Sequence, residues 1–223
     1  MNSQPLFEFQ GAAILFDMDG TLVDTMAHDE RLWSLWARHH GFDPEPLLAL
    51  SHGRRTLDTI REIAPHLATE AELARFEELE LDERAGIHAV DGAARLVAAL
   101  PPHAWALVTS APRRLAALRM EIAGIPLPAV VVSADDVVHG KPNPEGVLRA
   151  AGLLGAAPAE CLVVEDTPAG IRAAHAAGMR ALGITTTYTC EQLGTDRCVP
   201  HFNGFQVLPP KSPGAQVHLA LFA

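Results

Sequence analysis

Short, unbroken apolar runs recur along this chain, separated by stretches with apolar residues at helical spacing. The runs fall at Ile14–Phe16, Trp105–Thr109, Val130–Ser133, Leu162–Val164 and Ala181–Ile184. Runs this short and this uniformly apolar predict strands buried on both faces. Helices are predicted between them. Asp91–Leu100 starts on a capping Asp and carries Leu96, Val97 and Leu100, while Arg113–Ala123 carries Leu115, Leu118 and Ile122. Pro144–Leu154 and Thr167–Ala177 each open on a polar cap, Asn143 or Thr167, beside a proline, and Gly178 ends the latter. Proline suits a first helical position because its missing N–H is not needed there. Strands alternating with helices of this length predict an α/β fold built on a doubly wound parallel sheet.

The interval from Asp24 to Val90 breaks the alternation. It reads as helices only, at Asp29–His40, Thr56–Ile63 and Thr69–Arg84. In the last, Leu73, Phe76 and Leu79 recur at helical spacing, so the many acids between Glu70 and Glu83 form a solvated face. The chain thus divides into a core, residues 1–23 and 91–223, and a small helical domain, residues 24–90. Beyond Thr185 the sequence is rich in Thr, Pro and Gly and predicts only a closing strand or two with loops.

The first run ends in chemistry. Phe16 is followed by Asp17, Met18, Asp19, Gly20, Thr21, Leu22, Val23 and Asp24. Asp17 and Asp19 leave the strand on one side because side chains alternate. Paired acids at a buried strand end are costly without a cation or a catalytic task. In an open parallel sheet the C-terminal strand ends are where ligands bind.

Phe-Asp-x-Asp-Gly-Thr-Leu-x-Asp resembles the first motif of the haloacid dehalogenase superfamily. The resemblance implies a Rossmann-like core, a nucleophile at Asp17, a general acid/base at Asp19, a bound Mg2+ and an aspartyl-phosphate intermediate. The dehalogenases that named the superfamily lack an acid at the position of Asp19, so the motif implies phosphoryl transfer. Residues 24–90 resemble the helical cap that one subfamily inserts after this motif.

Three further segments follow in the family's order. Val108-Thr109-Ser110 ends the second strand of the sheet, and a hydroxyl there can bond a phosphoryl oxygen. The family motif aligns with Ser110 as the catalytic hydroxyl, with Thr109 as the alternative. His139-Gly140-Lys141-Pro142-Asn143-Pro144 places Lys141 before a helix start, where backbone N–H groups already favour anions. The chain has only two lysines, Lys141 and Lys211, and the Gly-Lys-Pro-x-Pro context resembles the family's. Leu162-Val163-Val164-Glu165-Asp166-Thr167-Pro168 again ends a strand in adjacent acids. A hard cation with oxygen ligands would use such carboxylates. The resulting expectation is a metal held by Asp17, Asp166 and the main-chain carbonyl of Asp19, with Glu165 ligating directly or through water.

In the helical cap, His52-Gly53-Arg54-Arg55 sits in a turn before a helix. Arginine binds phosphate or sugar oxygens through several donors. The pattern His-Gly-Arg-x-x-x-Asp resembles the cap loop of sugar- and polyol-phosphate phosphatases, such as those acting on glycerol 1-phosphate and 2-deoxyglucose 6-phosphate. The expected substrate contacts are therefore Arg54, Gly53, His52, Arg55 and Thr109. Two other readings share the core: a beta-phosphoglucomutase-like mutase, for which His28 stands one place off the usual cap histidine, and a non-catalytic sugar-phosphate-binding regulator. A phosphonatase would need a cap lysine, and none lies between Asp24 and Val90.

Bulk properties narrow the partners. The chain has 223 residues, 48% of them hydrophobic, and a formal net charge of −10. That charge argues against nucleic acid and anionic membranes. No apolar run approaches the ~20 residues of a membrane span, and Met1 to Gln10 lacks a signal-like pattern. Cys161, Cys190 and Cys198 have no paired spacing and are expected as free thiols of a cytoplasmic protein. A monomer or weak homodimer acting on a small phosphorylated sugar or polyol is the expectation.

Overall fold

The chain opens with two strands, β1 (Phe7–Gly11) and β2 (Ala13–Phe16), in a computed structural model that describes residues 4–222. Met1–Ser3 and Ala223, inside the expected core ranges, lie outside the described residues. β3 (Val23–Asp24) leads into four helices, α1 (Met26–His39), α2 (Pro44–Ser51), α3 (Thr56–Ile63) and α4 (Glu70–Asp82), and β4 (His88–Ala89) leads out of them. Alternation follows: α5 (Ala93–Ala99), β5 (Trp105–Val108), α6 (Arg113–Ile122), β6 (Val130–Val132), α7 (Glu145–Leu153), β7 (Cys161–Glu165), α8 (Pro168–Ala176), β8 (Arg180–Ile184), α9 (Cys190–Leu193) and β9 (Cys198–Val199). β10 (Phe205–Leu208) and β11 (Val217–Leu221) pair antiparallel, and β11 also pairs with β1.

Six strands form one parallel sheet in the order β6-β5-β2-β7-β8-β9. Side-chain alternation sorts its apolar runs between two cores. Ile14, Phe16, Leu107, Leu162 and Val164 join one, beneath Leu96 and Val97 of α5 and Leu115 and Met120 of α6. Ala13, Leu15, Ala106, Val108 and Val163 join the other, beneath Val147 and Ala150 of α7 and Ile171 and Ala174 of α8. From β2 the chain moves to β5 and β6 on one side, then returns to β7, β8 and β9 on the other. The sheet therefore has its switch point between β2 and β7, where a crevice opens beyond the C-terminal strand ends.

The helical segment has a core of its own, built from Leu32, Trp33, Trp36, Leu47, Ile60 and Phe76. Its entry and exit run side by side as the β3–β4 ribbon, with Val23 opposite Ala89 and Asp24 opposite His88. The chain thus enters and leaves this segment at one narrow crossing.

Several expectations need correction. α2 was not foreseen, because Pro44-Glu45-Pro46 reads as loop. Both prolines fall in its first turn, where no N–H is required, and the Asp43 carboxylate accepts from the Glu45 N–H. α1 starts at Met26 rather than Asp29, and α5 is capped by Gly92, not Asp91. The terminal β1–β11–β10 sheet was foreseen only as a closing strand or two. The expectation of free thiols fails for two of three cysteines: Cys190 and Cys198 are disulfide-bonded, with Cα atoms 5.8 Å apart, while Cys161 is free and buried. α9 is a single turn ended by Gly194 in the left-handed conformation, and this reversal returns β9 beside Cys190. Cysteine usage therefore no longer argues for a reducing compartment. No helix among the described residues is long and apolar enough to cross a membrane.

Candidate active site

Parallel pairing brings the acidic strand ends together. Phe16 lies opposite both Leu107 and Val164, so the residues following β2, β5 and β7 emerge at one edge. The Asp17 N–H donates to the Val164 carbonyl at 3.0 Å. Asp17, Glu165 and Asp166, all buried, can each offer an oxygen within 4.8 Å of the others'.

Lys141 enters this cluster from the loop before α7. Its ammonium donates to Asp17 Oδ1 and, at 2.7 Å, to Glu165 Oε2. Glu165 Oε1 is taken up by the Thr167 hydroxyl at 2.7 Å and the Thr167 N–H at 3.0 Å. Both oxygens of Glu165 are thus occupied, so it orients Lys141 and pins the β7–α8 turn. Asp166 accepts from the Thr21 hydroxyl at 3.2 Å and from the Thr187 hydroxyl. Burial, reinforced by repulsion from Glu165, raises the proton affinity of both Asp17 and Asp166 against the pull of Lys141. Three buried carboxyls with one ammonium are short of positive charge, and every free donor is oxygen. That donor set fits a divalent cation.

Asp19 turns away from this cluster. Gly20 adopts a positive φ of 76°, and a Cβ there would lie 2.0 Å from Asp166 Oδ2, so only glycine lets the chain pass. Asp19 Oδ1 lies 2.8 Å from Nη1 of Arg119, a residue of α6 that is 3% exposed. Nη2 of the same guanidinium donates to Asp29 Oδ1 at 2.9 Å and to Glu80 Oε1 at 3.2 Å. Burial raises the proton affinity of Asp19, opposed by Arg119. An acid so held beside Asp17 keeps its proton more readily than a free carboxyl does, as a proton donor must.

The cap loop rests directly on the core. The Ser110 hydroxyl donates to the Gly53 carbonyl at 3.0 Å. Gly53 has φ of 71°, and a Cβ there would meet Thr167 at 2.4 Å. Thr109 is buried and accepts from the Ala111 N–H at 3.1 Å. Arg54 lines the cleft that holds Asp17 and pairs with Glu62 at 2.7 Å. Arg55 instead pairs with Asp58 at 2.7 Å and donates to the Val138 carbonyl at 3.1 Å, tying the cap to the Lys141 loop. The His52 ring meets Tyr188 edge-on at 6.4 Å, and burial lowers its proton affinity. The cleft is lined as well by Ser51, Thr56 and Ser110, so core and cap both contribute polar groups to it.

Sequence reasoning missed Arg119, Asp29, Glu80 and Thr187. One signal pointed to Arg119: it shares the buried face of α6 with Leu115, Ala116 and Met120.

Residues 12–178 match the family model of haloacid dehalogenase-like hydrolases. Hexitol phosphatase A of Escherichia coli (strain K12) is 40% identical over 208 residues, which cover 91% of this chain and 96% of that protein. Glycerol-1-phosphate phosphohydrolase 1 of Saccharomyces cerevisiae is 35% identical over 199 residues, covering 83% of this chain and 79% of that one. Among solved structures, a HAD hydrolase of family IA, variant 3, from Entamoeba histolytica matches with a TM-score of 0.71 at 25% identity, over 86% of this chain and 93% of that chain.

Proposed function

The chain belongs to the haloacid dehalogenase-like hydrolases, and we propose that it is a Mg2+-dependent phosphatase of a small phosphorylated sugar or polyol. The observation that carries this reading is the placement of Asp17. It is buried, gripped by Lys141, grouped with Asp166, and opens onto a cleft shared with Asp19. The relatives named for hexitol and glycerol-1-phosphate hydrolysis support the substrate class.

In this reading the Asp17 carboxylate attacks phosphorus, the ester P–O bond breaks, and the phosphoryl group passes to Asp17. Asp19 gives its proton to the departing alkoxide. The same carboxylate, now ionised, takes a proton from water, which attacks the aspartyl-phosphate and releases inorganic phosphate. Lys141 neutralises Asp17 and the phosphoryl oxygens, and the Ser110 hydroxyl donates to one of those oxygens on turning from the Gly53 carbonyl. Asp17, Asp166 and the carbonyl of Asp19 would hold Mg2+, which when bound offsets the repulsion between carboxylate and phosphate dianion. Glu165 keeps Lys141 in place.

A mutase reading finds no support in His28. That side chain is fully buried, with Nδ1 engaged by Asp29 at 2.9 Å and Nε2 by the Glu83 carbonyl at 3.1 Å. Assaying phosphate release from a panel of sugar and polyol phosphates, with Mg2+ and after exhaustive chelation, tests the proposal. Turnover of polyol or sugar phosphates that vanishes on chelation is expected. Unchanged turnover after chelation, or none on any sugar or polyol phosphate, would overturn it.

A further inference from the structure

Opposite the phosphoryl chemistry, the cleft has a second polar wall. Arg119 of α6, Asp29 of α1 and Glu80 of α4 line the same cavity as Asp17 and Asp19, with Trp33 beside them. We propose that Asp29, Glu80 and Arg119 form the subsite that reads the hydroxyl groups of an uncharged polyol leaving group. The inference rests on the phosphatase reading and names its substrate class more closely.

Position is the first argument. Arg119 touches Asp19 at 2.8 Å, so the wall begins where the leaving oxygen receives its proton and continues into the cap. A leaving group attached at that oxygen must lie along this wall. Chemistry is the second. Carboxyls accept hydrogen bonds from hydroxyls, and a guanidinium donates to hydroxyl oxygens. The Arg119 Nε–H has no hydrogen-bond partner among the described residues, although Arg119 is 3% exposed and lines the cleft. A buried donor left open beside a cleft is a place for a ligand oxygen. Glu80 brings a second carboxyl oxygen beyond the one that meets Arg119.

Charge is the third argument. Three carboxyls surround one guanidinium; with Glu80 protonated and Asp19 holding the proton it donates, Asp29 balances Arg119 and the wall presents no unpaired positive charge. Burial pushes Glu80 up to about 8, despite Arg119, which makes it the acid that keeps a proton near neutrality. Such a wall accepts neutral hydroxyls and offers no free cation to a second phosphate or a carboxylate. Arg54 does not reverse the balance, because Glu62 pairs with it. The subsite therefore selects neutral polyol monophosphates over bisphosphates and sugar-acid phosphates.

The test compares kcat/KM for hexitol 6-phosphate, glycerol 1-phosphate, a hexose bisphosphate and p-nitrophenyl phosphate in the full chain. Arg119→Ala is avoided, since it leaves three acids without their shared cation. Glu80→Met removes hydrogen bonding at similar volume, and Asp29→Asn removes charge while keeping an acceptor; a thermal melt accompanies each. The ratio of hexitol phosphate to p-nitrophenyl phosphate should fall by about tenfold or more in Glu80→Met, chiefly through KM. In Asp29→Asn the ratio of bisphosphate to hexitol phosphate should rise. Equal losses on every substrate, or unchanged ratios in both variants, would overturn the subsite while leaving the phosphatase reading intact. Should Glu80→Met fail to fold, the bisphosphate ratio in Asp29→Asn decides alone. A wild-type protein that releases no phosphate from any substrate would sink the parent reading and the subsite with it.

Discussion

Two clusters in this molecule share a formula, three carboxyls around one cation, and differ in how the cation is used. At the sheet edge, Lys141 reaches Asp17 and Glu165 and leaves Asp166 to hydroxyl groups. At the cap boundary, the fork of Arg119 reaches Asp19, Asp29 and Glu80 together. An ammonium is a point charge, whereas a guanidinium presents five donors in a plane. The first cluster is consequently left short of positive charge and fits a metal. In the second, one guanidinium joins all three acids yet keeps its Nε–H free, and its chemistry turns toward hydroxyl groups. Their supports differ as well. Strand ends and adjoining loops of one sheet hold the first, while the second joins two cap helices to a core helix and so depends on the cap being seated.

The comparison breaks most sharply at Asp19, which touches the second cluster and serves the first. Asp19→Asn should lower sugar- or polyol-phosphate turnover by about 10²–10⁴-fold. With p-nitrophenyl phosphate the loss should be smaller, because that leaving group departs without a proton. Steady-state rates on both substrates check this. Lys141→Met should lower kcat by about 10²–10³-fold on either substrate alike, since it stabilises charge on the phosphoryl group and not on the leaving group. A leaving-group dependence for Lys141→Met would blur the division between the clusters.

The smallest effect concerns stability and sharpens the second cluster. Glu80 is raised from its ordinary 4.5 to about 8, chiefly by burial, so the folded protein holds a proton there that the unfolded chain gives up. The stability linked to that proton is complete below the unfolded value and lost as pH rises through the folded one. Melting temperature should therefore decline between about pH 5 and about pH 9, and Glu80→Gln should flatten part of that decline. An unaltered pH slope in the variant would place the proton elsewhere.

These clusters also differ in how far the sequence announces them. Asp17, Asp19, Glu165 and Asp166 directly follow apolar runs, so strand geometry predicts that they converge, whereas Lys141 was joined to them by its resemblance to the family's motif. Five of the six strands were legible for the same reason, because short apolar runs set between helical stretches read as strands. Asp29, Glu80 and Arg119 lie on three helices far apart in the chain, and only tertiary packing brings them together. Thr187 shows the same limit. It sits in a segment read as closing loops, yet its hydroxyl binds Asp166. The Cys190–Cys198 bond depended on one glycine-ended turn that the spacing did not disclose. Helix α2 was hidden by prolines that are tolerated only because they fall in its first turn.

Trapping the covalent intermediate tests the central claim most directly. Rapid quenching of the Mg2+-loaded protein with a labelled polyol phosphate, followed by mass spectrometry of the digested chain, would locate the phosphoryl group. The account predicts phosphate on Asp17, and neither trapped phosphate nor turnover in Asp17→Asn. Phosphate on any other residue, or sustained turnover by Asp17→Asn, would contradict it.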